Sequence, residues 1–449
     1  MERTMTLSRW RRTLGLALAS TALVSLTTPP AHATVDGTTG TTFSLVAEAG
    51  SINAADGNVI YMWGYGLGTT SAAQMFYPGP TLIVNEGDTV TITLTNTLDE
   101  PVSIVFPGQA GVTASTASGT TSQGQLTLEA SPPVTKTVNK VTTTTYSAVT
   151  YSFVASHPGT FEYHSGSHQD LQVEMGLVGA IIVRPKGYAL GSNQIAYDDP
   201  ASKYDHEYLF VETEIDPEIH AAVAASTSKP KSAVVDMSKR FANYWFFNGR
   251  NGPDTMQDPG VPWLPAQPYN ALPQIHPGEK ALMRVVGGGL DVHPFHHHGN
   301  HAAMIARDGM LNQSAPGAGP DVAEMNFTIQ TAPGETYDAI FTWTGQGLNW
   351  DYTGGHCTPA QMASNPDCGK PFPVKYPNPT TLSAGPHYSG SPYLGQLASL
   401  PPGEGGFNVN GGNYFMWHSH TEKELTNYNI YPGGMMTFMI IQPPGTVIK

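Results

Sequence analysis

Residues 86–94 read EGDTVTITL, a glycine-containing turn followed by a run in which polar and apolar side chains alternate. Alternation with a period of two is typical of a β-strand with one buried face. A similar turn leads into an apolar run at 275–286, which reads IHPGEKALMRVV. Each half of the chain also ends alike, in a histidine-bearing aromatic stretch followed by an apolar strand at 178–183 or 436–441. This repeat predicts two copies of one β-sandwich unit.

The composition favours an all-β protein. Only 12% of the 449 residues are charged, whereas 48 are Gly and 37 are Pro, which suits short strands joined by many turns. We predict a first domain at 41–187 and a second at 205–449, joined by a polar, turn-rich stretch. An insertion at 111–145 is expected to be a hairpin or a mobile loop. A second, Gly/Pro-rich insertion at about 345–412 is long enough to act as a lid over a site.

The N-terminal residues 1–33 have the pattern of a signal peptide. Four arginines precede a short apolar stretch at 14–26, and Ala31-His32-Ala33 matches a cleavage site. The apolar stretch is too short for a good membrane span, and no other segment is apolar enough to be one. We therefore expect a secreted or cell-envelope protein, exported by a Tat-like or a Sec route. The formal net charge of −14 excludes nucleic acid and anionic lipid as partners.

The two cysteines, Cys357 and Cys368, both lie in the second insertion. In an oxidising compartment their short separation favours a local disulfide. The alternative is that Cys357 is a thiolate metal ligand beside His356. Neither cysteine lies in a histidine-rich segment.

Histidines are concentrated in three segments, which read HPFHHHGNH at 293–301, WHSH at 417–420 and YHSGSH at 163–168. Residues two apart on a strand face the same way, so His296 with His298 and His418 with His420 can each present two imidazoles to one point. Several neutral imidazoles without a thiolate suit copper best among the common transition metals. Isolated histidines are expected to be ordinary buried or surface residues; these are His157, His206, His220, His276 and His387.

At these motifs the chain resembles the multicopper oxidases over nearly all of its predicted mature length. The run 293–299 matches the family's His-Pro-x-His-x-His-Gly motif, and 412–420 matches its closing His-Cys-His strand except in the middle residue. The stretch 163–177 matches the first-domain Tyr-His-Ser-His pattern if two residues are inserted between the histidines. The resemblance implies two cupredoxin-like Greek-key β-sandwich domains, copper as the cofactor, and a small-molecule reductant with O₂ as substrates.

Three departures limit what the resemblance carries over. The family's first motif, His-Trp-His-Gly, is replaced here by Val105-Phe106-Pro107-Gly108, so two copper ligands are missing. The position of the family's type-1 cysteine is Ser419, and that of its type-1 histidine is Glu424. A hydroxyl and a carboxylate cannot form the copper–thiolate bond of a blue site, so a laccase mechanism is not expected.

The expected copper ligands are the remaining cluster histidines: His164, His168, His296, His298, His418 and His420. His293 is a further candidate that faces the vacated type-1 pocket by resemblance, and His297 is expected to point away from its neighbours. Glu424 and Asp170 are candidate proton carriers.

The leading functional hypothesis is an exported copper-dependent oxidoreductase with an all-histidine site and O₂ as the acceptor. The alternatives are a non-enzymatic copper-binding or copper-buffering protein and a structural module whose clusters are relics. Two-domain members of the family form rings of three, in which the first domain of one chain faces the second domain of the next. A homotrimer is therefore expected, with His164 and His168 completing a neighbour's site. The alternative is that the insertion at 345–412 covers the site within one chain.

Overall fold

A computed structural model of the chain describes residues 33–70, 73–123, 128–344, 351, 357, 359–370, 413–442 and 445–448. The described residues form many short strands and few helices, which confirms the all-β prediction. The predicted signal peptide lies outside the described residues except for Ala33. So does most of the predicted lid at 345–412, including His356.

The first half of the chain folds as two sheets packed face to face. Its elements are β1 Thr38–Thr39, β2 Thr42–Asn53, β3 Val59–Leu67, β4 Met75–Phe76, β5 Leu82–Asn85, β6 Thr89–Asn96, β7 Thr113–Thr116, β8 Thr121–Gln123, β9 Val134–Val138, β10 Val141–Thr145, β11 Ser147–Val154, β12 Gly159–His164, α1 Gln169–Glu174 and β13 Val178–Arg184. One sheet has the order β1-β5-β13-β12 and the other β4-β3-β2-β6-β11-β7-β8. The insertion at 111–145 contains two hairpins, β7–β8 and the exposed β9–β10.

The second half repeats this arrangement. Its elements are β14 His206–Ile215, α2 Pro217–Ala225, β15 Tyr244–Phe247, β16 Gln274–Ile275, β17 Lys280–Gly287, β18 His293–His297, β19 Ala302–Arg307, β20 Met310–Leu311, β21 Glu324–Asn326, β22 Thr328–Thr331, β23 Thr336–Thr342, α3 Pro359–Ser364, β24 Asn413–Ser419 and β25 Met436–Ile441. Short 3-10 helices connect them at Pro200–Ser202, Lys231–Val234, Met237–Lys239, Asp254–Met256 and Glu422–Leu425. One sheet has the order β15-β14-β17-β23-β19-β20, with β21 paired to β19, and the other β16-β25-β24-β18-β22.

Alternation along the strands explains where the cores lie. In β6, Val90, Ile92 and Leu94 are buried in the first core, while the intervening threonines are less buried. The second core is rich in aromatic rings, with Phe295 of β18 and Trp417 of β24 at its centre. Burial of each large side chain contributes about 1.5–3 kcal/mol, so each unit has its own stabilising core.

The two units also share buried apolar contacts. Tyr77 of the first unit packs edge-on against Phe246 of the second, with ring centroids 5.6 Å apart. Ile182 of β13 lies in one cluster with Val211 of β14 and Val286 of β17. The two β-sandwiches are therefore packed against each other within one chain.

Two further expectations concern the cysteines and the membrane. Cys357 and Cys368 form a disulfide, which confirms the favoured prediction and removes Cys357 as a thiolate ligand. In the part of the chain that the structure describes, no helix has both the length and the apolar character needed to cross a membrane.

Candidate metal centre

Two neighbouring strands carry the main histidine site. β18 and β24 pair in antiparallel orientation, and the register sets His296 opposite His418. Burial alternates along β18, so Phe295 and His297 enter the core while His296 lies on the more open face. The spacing of two residues along a strand therefore separates the candidate ligands from the packing residues, as the sequence predicted for His297.

His296, His298 and His418, which we call the histidine trio, meet at one point. One ring nitrogen of each lies within 4.8 Å of the others. The Nε2 atoms of His298 and His418 are 3.2 Å apart. Two imidazoles bound to one tetrahedral ion by bonds of about 2.0 Å have their nitrogens roughly 3.3 Å apart. The trio is thus arranged as a set of ligands without any rearrangement of the backbone.

Neighbouring oxygen atoms orient the trio. The carbonyl oxygen of Ser419 accepts a hydrogen bond from Nδ1 of His418 at 2.6 Å. Nδ1 of His296 lies 2.8 Å from the Thr328 hydroxyl. The indole nitrogen of Trp417 donates to the carbonyl oxygen of His298 at 3.0 Å. Metal-binding histidines commonly bond an oxygen through the nitrogen that does not bind the metal, so the Nε2 atoms of His296 and His418 are the ones directed to an ion.

The protonation state of the trio suits a metal. Burial and the neighbouring imidazoles lower the pKa of both His296 and His298 to about 4. Burial also lowers the pKa of His418. All three rings are therefore neutral at neutral pH, and metal ions bind neutral imidazole. Three neutral imidazoles with no thiolate fit copper, which has the highest affinity for such donors among the divalent first-row metals.

His420 lies at the rim of the trio. Its side chain is exposed, and its ring centroid is 4.8 Å from that of His296. It does not belong to the group whose ligand atoms lie within 4.8 Å of one another. His420 is therefore a possible fourth ligand only after a rotation of its ring.

At the position that the multicopper oxidases use for blue copper, this chain has a cluster of hydrogen-bonded side chains. Nε2 of His293 lies 2.8 Å from Glu214, and Nδ1 lies 2.9 Å from Glu424. The Ser419 hydroxyl donates to the same Glu424 carboxylate at 2.6 Å. All four side chains are buried. Burial opposes a charge on His293, but the bonds and charges of the two carboxylates outweigh it and raise the pKa of this imidazole well above its usual value.

This arrangement argues against the prediction that His293 is a metal ligand. Both of its ring nitrogens are occupied by carboxylates, so neither is directed to an ion. Glu214, which no sequence motif marked, is held in turn by Arg240 at 2.5 Å and by the backbone N–H groups of Leu290 and Asp291. A buried charge must be paired in this way, because an unpaired one costs several kcal/mol.

The first-unit histidines lie apart from the trio. His164 ends β12, and its backbone pairs with Val105, in the stretch where the family's first motif would stand. His168 is exposed and lies 3.6 Å from Glu100, and Asp170 is exposed in the first turn of α1. Among the described residues, neither histidine belongs to a group of three or more metal-type side chains within 4.8 Å. One chain alone therefore does not bring the two predicted ligand sets together.

The structure also assembles a group that the sequence reading missed. His206, His276 and Glu279 have ligand atoms within 4.8 Å of one another, although both histidines were expected to be isolated. The one signal in the sequence is the spacing of three between His276 and Glu279 in a tight turn. His206 is too distant in the sequence to have been connected with them.

The trio does not line a cavity that the structure has elsewhere in the chain. That cavity, of about 580 Å³, lies between β3 and α2, where Tyr61, His220, Tyr244 and Tyr428 contribute to its walls. None of the predicted copper ligands is among its lining residues.

Comparison with known proteins finds similarity to the multicopper oxidases in part of the chain. The profile of the family described as "Multicopper oxidase" matches residues 69–187. A Laccase 1 from Metarhizium robertsii is 31% identical over 161 residues, which are 33% of this chain and 24% of the relative. An L-ascorbate oxidase from Cucurbita pepo var. melopepo is 34% identical over 110 residues, 24% of this chain and 17% of the relative. The chain thus spans at most about a quarter of the length of these curated relatives.

Solved structures agree on the fold. A blue copper oxidase from Nitrosomonas europaea aligns with a TM-score of 0.52 and 17% identity, covering 89% of this chain and 85% of that one. A second structure, the multicopper oxidase mgLAC, aligns with a TM-score of 0.51 and 16% identity, covering 91% and 87%. The similarity confirms the predicted cupredoxin-like β-sandwiches. Together with the profile match and the laccase relatives, it shows that the chain is similar to the multicopper oxidases, a family whose members bind copper.

Proposed function

We propose that this protein is an exported copper-dependent oxidoreductase that uses a histidine-only copper site, a small-molecule reductant and O₂. The observation that carries the proposal is the histidine trio, in which three neutral imidazoles meet at a half-buried point. Bound copper would supply one-electron exchange with the reductant and with O₂. Export rests on the signal-peptide pattern of residues 1–33.

The chain's own residues would bind the ion, orient its ligands and carry protons. His296, His298 and His418 would hold the ion, and the Ser419 carbonyl and Thr328 hydroxyl would fix two of the rings. Glu424 is the proposed proton carrier that contacts the ligand strand, because it accepts the Ser419 hydroxyl hydrogen bond. Asp170 would serve the site only if the first unit of another chain lay against it.

A specific observation favours a second candidate, a copper-binding or copper-buffering protein without turnover. The electron-entry position holds the His293–Glu424–Ser419 hydrogen bonds, so the family's route for electrons into the cluster is missing. An oxidoreductase would then have to receive electrons directly at the half-exposed trio. The two candidates bind copper alike and differ in whether they consume O₂.

We expect the copper-loaded protein to lack the intense visible absorption of a copper–thiolate bond and to give an EPR signal typical of imidazole-bound copper. The measurement is the visible and EPR spectrum of the purified chain, followed by an oxygen-electrode assay with phenolic, ascorbate-like and metal-ion reductants. O₂ consumption that needs copper supports the oxidoreductase. Copper binding without O₂ consumption by any reductant would favour the buffering protein, and an intense blue band would refute the histidine-only site.

We further propose that the active assembly is a homotrimer in which His164 and His168 of one chain complete the trio of the next. An exposed apolar patch beside the trio supports a contact there. Phe327, Met325 and Val322 are all more than half exposed, and the Phe327 ring lies 5.7 Å from that of His296. A head-to-tail contact between unlike surfaces closes into a ring when its rotation is right.

Light scattering of the copper-loaded protein is expected to give about three times the mass of one chain, which is 47.9 kDa with residues 1–33 and smaller without them. Phe327→Asp should shift the mass to that of one chain, whereas Val59→Asp, at an exposed site on another strand, should not. A wild-type protein that stays monomeric with its full copper content would contradict the shared site.

A further inference from the structure

A second group of metal-type side chains lies at the start of two paired strands. His206 begins β14, Glu279 immediately precedes β17, and these strands run parallel with His206 in register with Ala281. His276 is brought to the same point by a turn, in which its backbone N–H donates to the Glu279 carboxylate at 2.7 Å. The strand register and the turn therefore fix all three side chains without any flexible connection.

The distances between these three side chains are those of hydrogen bonds, and they are close to the distances between ligands of one metal ion. Nε2 of His206 lies 2.9 Å from Oε2 of Glu279, and Nδ1 of His276 lies 3.1 Å from the same oxygen. Ligands around a tetrahedral ion with bonds of about 2.0–2.2 Å are roughly 3.4 Å apart. An ion would need each imidazole nitrogen to move away from the Glu279 oxygen by only a few tenths of an ångström.

The surroundings of His276 resemble those of a metal-binding histidine. Its Nε2 donates to the carbonyl oxygen of Thr446 at 3.1 Å. In the present contact a proton on Nδ1 bonds to the Glu279 carboxylate, and an ion at this point would replace that proton while Nε2–H stays bonded to Thr446. A backbone carbonyl that fixes the ring in this way is the usual partner of a metal-binding imidazole.

The surroundings of His206 depend on the N-terminal residues. The backbone N–H of Ala33 donates to Nδ1 of His206 at 3.1 Å, so in this state the proton of the neutral ring is on Nε2, facing Glu279. A metal at Nε2 requires that proton to leave. Cleavage at the predicted signal-peptide site removes Ala33, which allows Nδ1 to carry the ring proton and Nε2 to bind.

We propose that His206, His276 and Glu279 form a second metal site, which takes a divalent transition ion such as Zn²⁺ once residues 1–33 are removed. Two imidazoles and one carboxylate are a donor set that binds such ions with a position left open for water. The side chains are 3%, 22% and 32% exposed for His206, His276 and Glu279, so an ion can reach the group from solvent. The site is separate from the trio and does not depend on the proposed oxidoreductase activity.

The test is zinc titration by calorimetry of the chain that begins at Thr34, with zinc content measured after dialysis. His276→Ala and Glu279→Gln should each lower the number of bound ions by one per chain. His298→Ala should reduce binding at the trio and leave the second site intact, and His157→Ala, an exposed histidine outside both groups, should change nothing. Anomalous scattering at the zinc edge should place an ion between the three side chains.

The outcomes separate the second site from the trio. If His276→Ala and Glu279→Gln keep the full stoichiometry and no anomalous peak lies between the three side chains, the group is a hydrogen-bonded triad only and the proposal fails. Glu279→Gln preserves the size of the side chain, so it controls for a folding defect of the alanine variant. The chain that retains residues 1–33 should bind zinc at this site at least about tenfold more weakly, and equal affinity would refute the dependence on cleavage.

Discussion

Replacing His298 and His418 together with Ala is expected to abolish tight copper binding. Each substitution removes an imidazole whose Nε2 lies at the meeting point of the trio, and one nitrogen-bearing side chain, His296, would remain there. Loss of an outer partner of a metal ligand typically lowers affinity by about 10–100-fold, so loss of two direct ligands should exceed about a hundredfold. The measurement is copper content after dialysis against a chelator, with a direct titration for the affinity.

His297→Ala is the matched control, because His297 lies between the two trio residues of the same segment but enters the core. Burial lowers its pKa to about 3, and its Nε2 lies 2.9 Å from the carbonyl oxygen of Asn326. This variant should lose roughly 1–3 kcal/mol of stability and keep its copper. Full copper stoichiometry in the His298/His418 double variant would show that the trio is not the site.

The strands and the trio were predictable from local patterns. The alternation in β6 and the spacing of two between His296 and His298 are properties of a short stretch of chain, and strand geometry turns them directly into a buried face and a shared direction. The spacing of residues could not show that the 293–301 segment lies beside the 417–420 segment. That pairing was inferred from the family resemblance. That is why His418 could be joined to residues more than a hundred positions away.

The carboxylate partners of His293 were not predictable in this way. Glu214 lies on β14 of the other sheet of the second unit, 79 positions before His293, and no motif connects them. Glu424 was recognised only as a departure from the family's histidine. The sequence could report that a copper ligand was lost, but only the packing of the sheets shows that an ion pair occupies its place. The same reason explains why His206 was taken as isolated.

The ion pair means that a cysteine at position 419 would not by itself create a blue copper site. A thiol at position 419 would meet a carboxylate at Glu424 and a ring at His293 that has no nitrogen available. Reversal to a cysteine alone would therefore leave the new thiolate without imidazole partners. At least two positions must change together before copper could bind there.

The double variant Ser419→Cys with Glu424→His is accordingly expected to gain an intense blue absorption when loaded with copper. The first change supplies a thiolate, and the second supplies an imidazole while it releases Nδ1 of His293 from the Glu424 carboxylate. A thiolate with two imidazoles in a trigonal arrangement is the ligand set of blue copper. Glu214 stays bonded to Nε2 of His293 and would continue to orient that ring, as outer carboxylates do for metal-bound histidines.

Each single variant is the control for this gain. Ser419→Cys alone should show no intense band, because both nitrogens of His293 remain paired with carboxylates, and Glu424→His alone has no thiolate. Visible and EPR spectra at matched copper content decide the matter, with circular dichroism to confirm that all three variants are folded. A strong blue band in the Ser419→Cys single variant would mean that His293 leaves its carboxylates readily. The hydrogen bonds of His293 would then not explain why copper is excluded from this position.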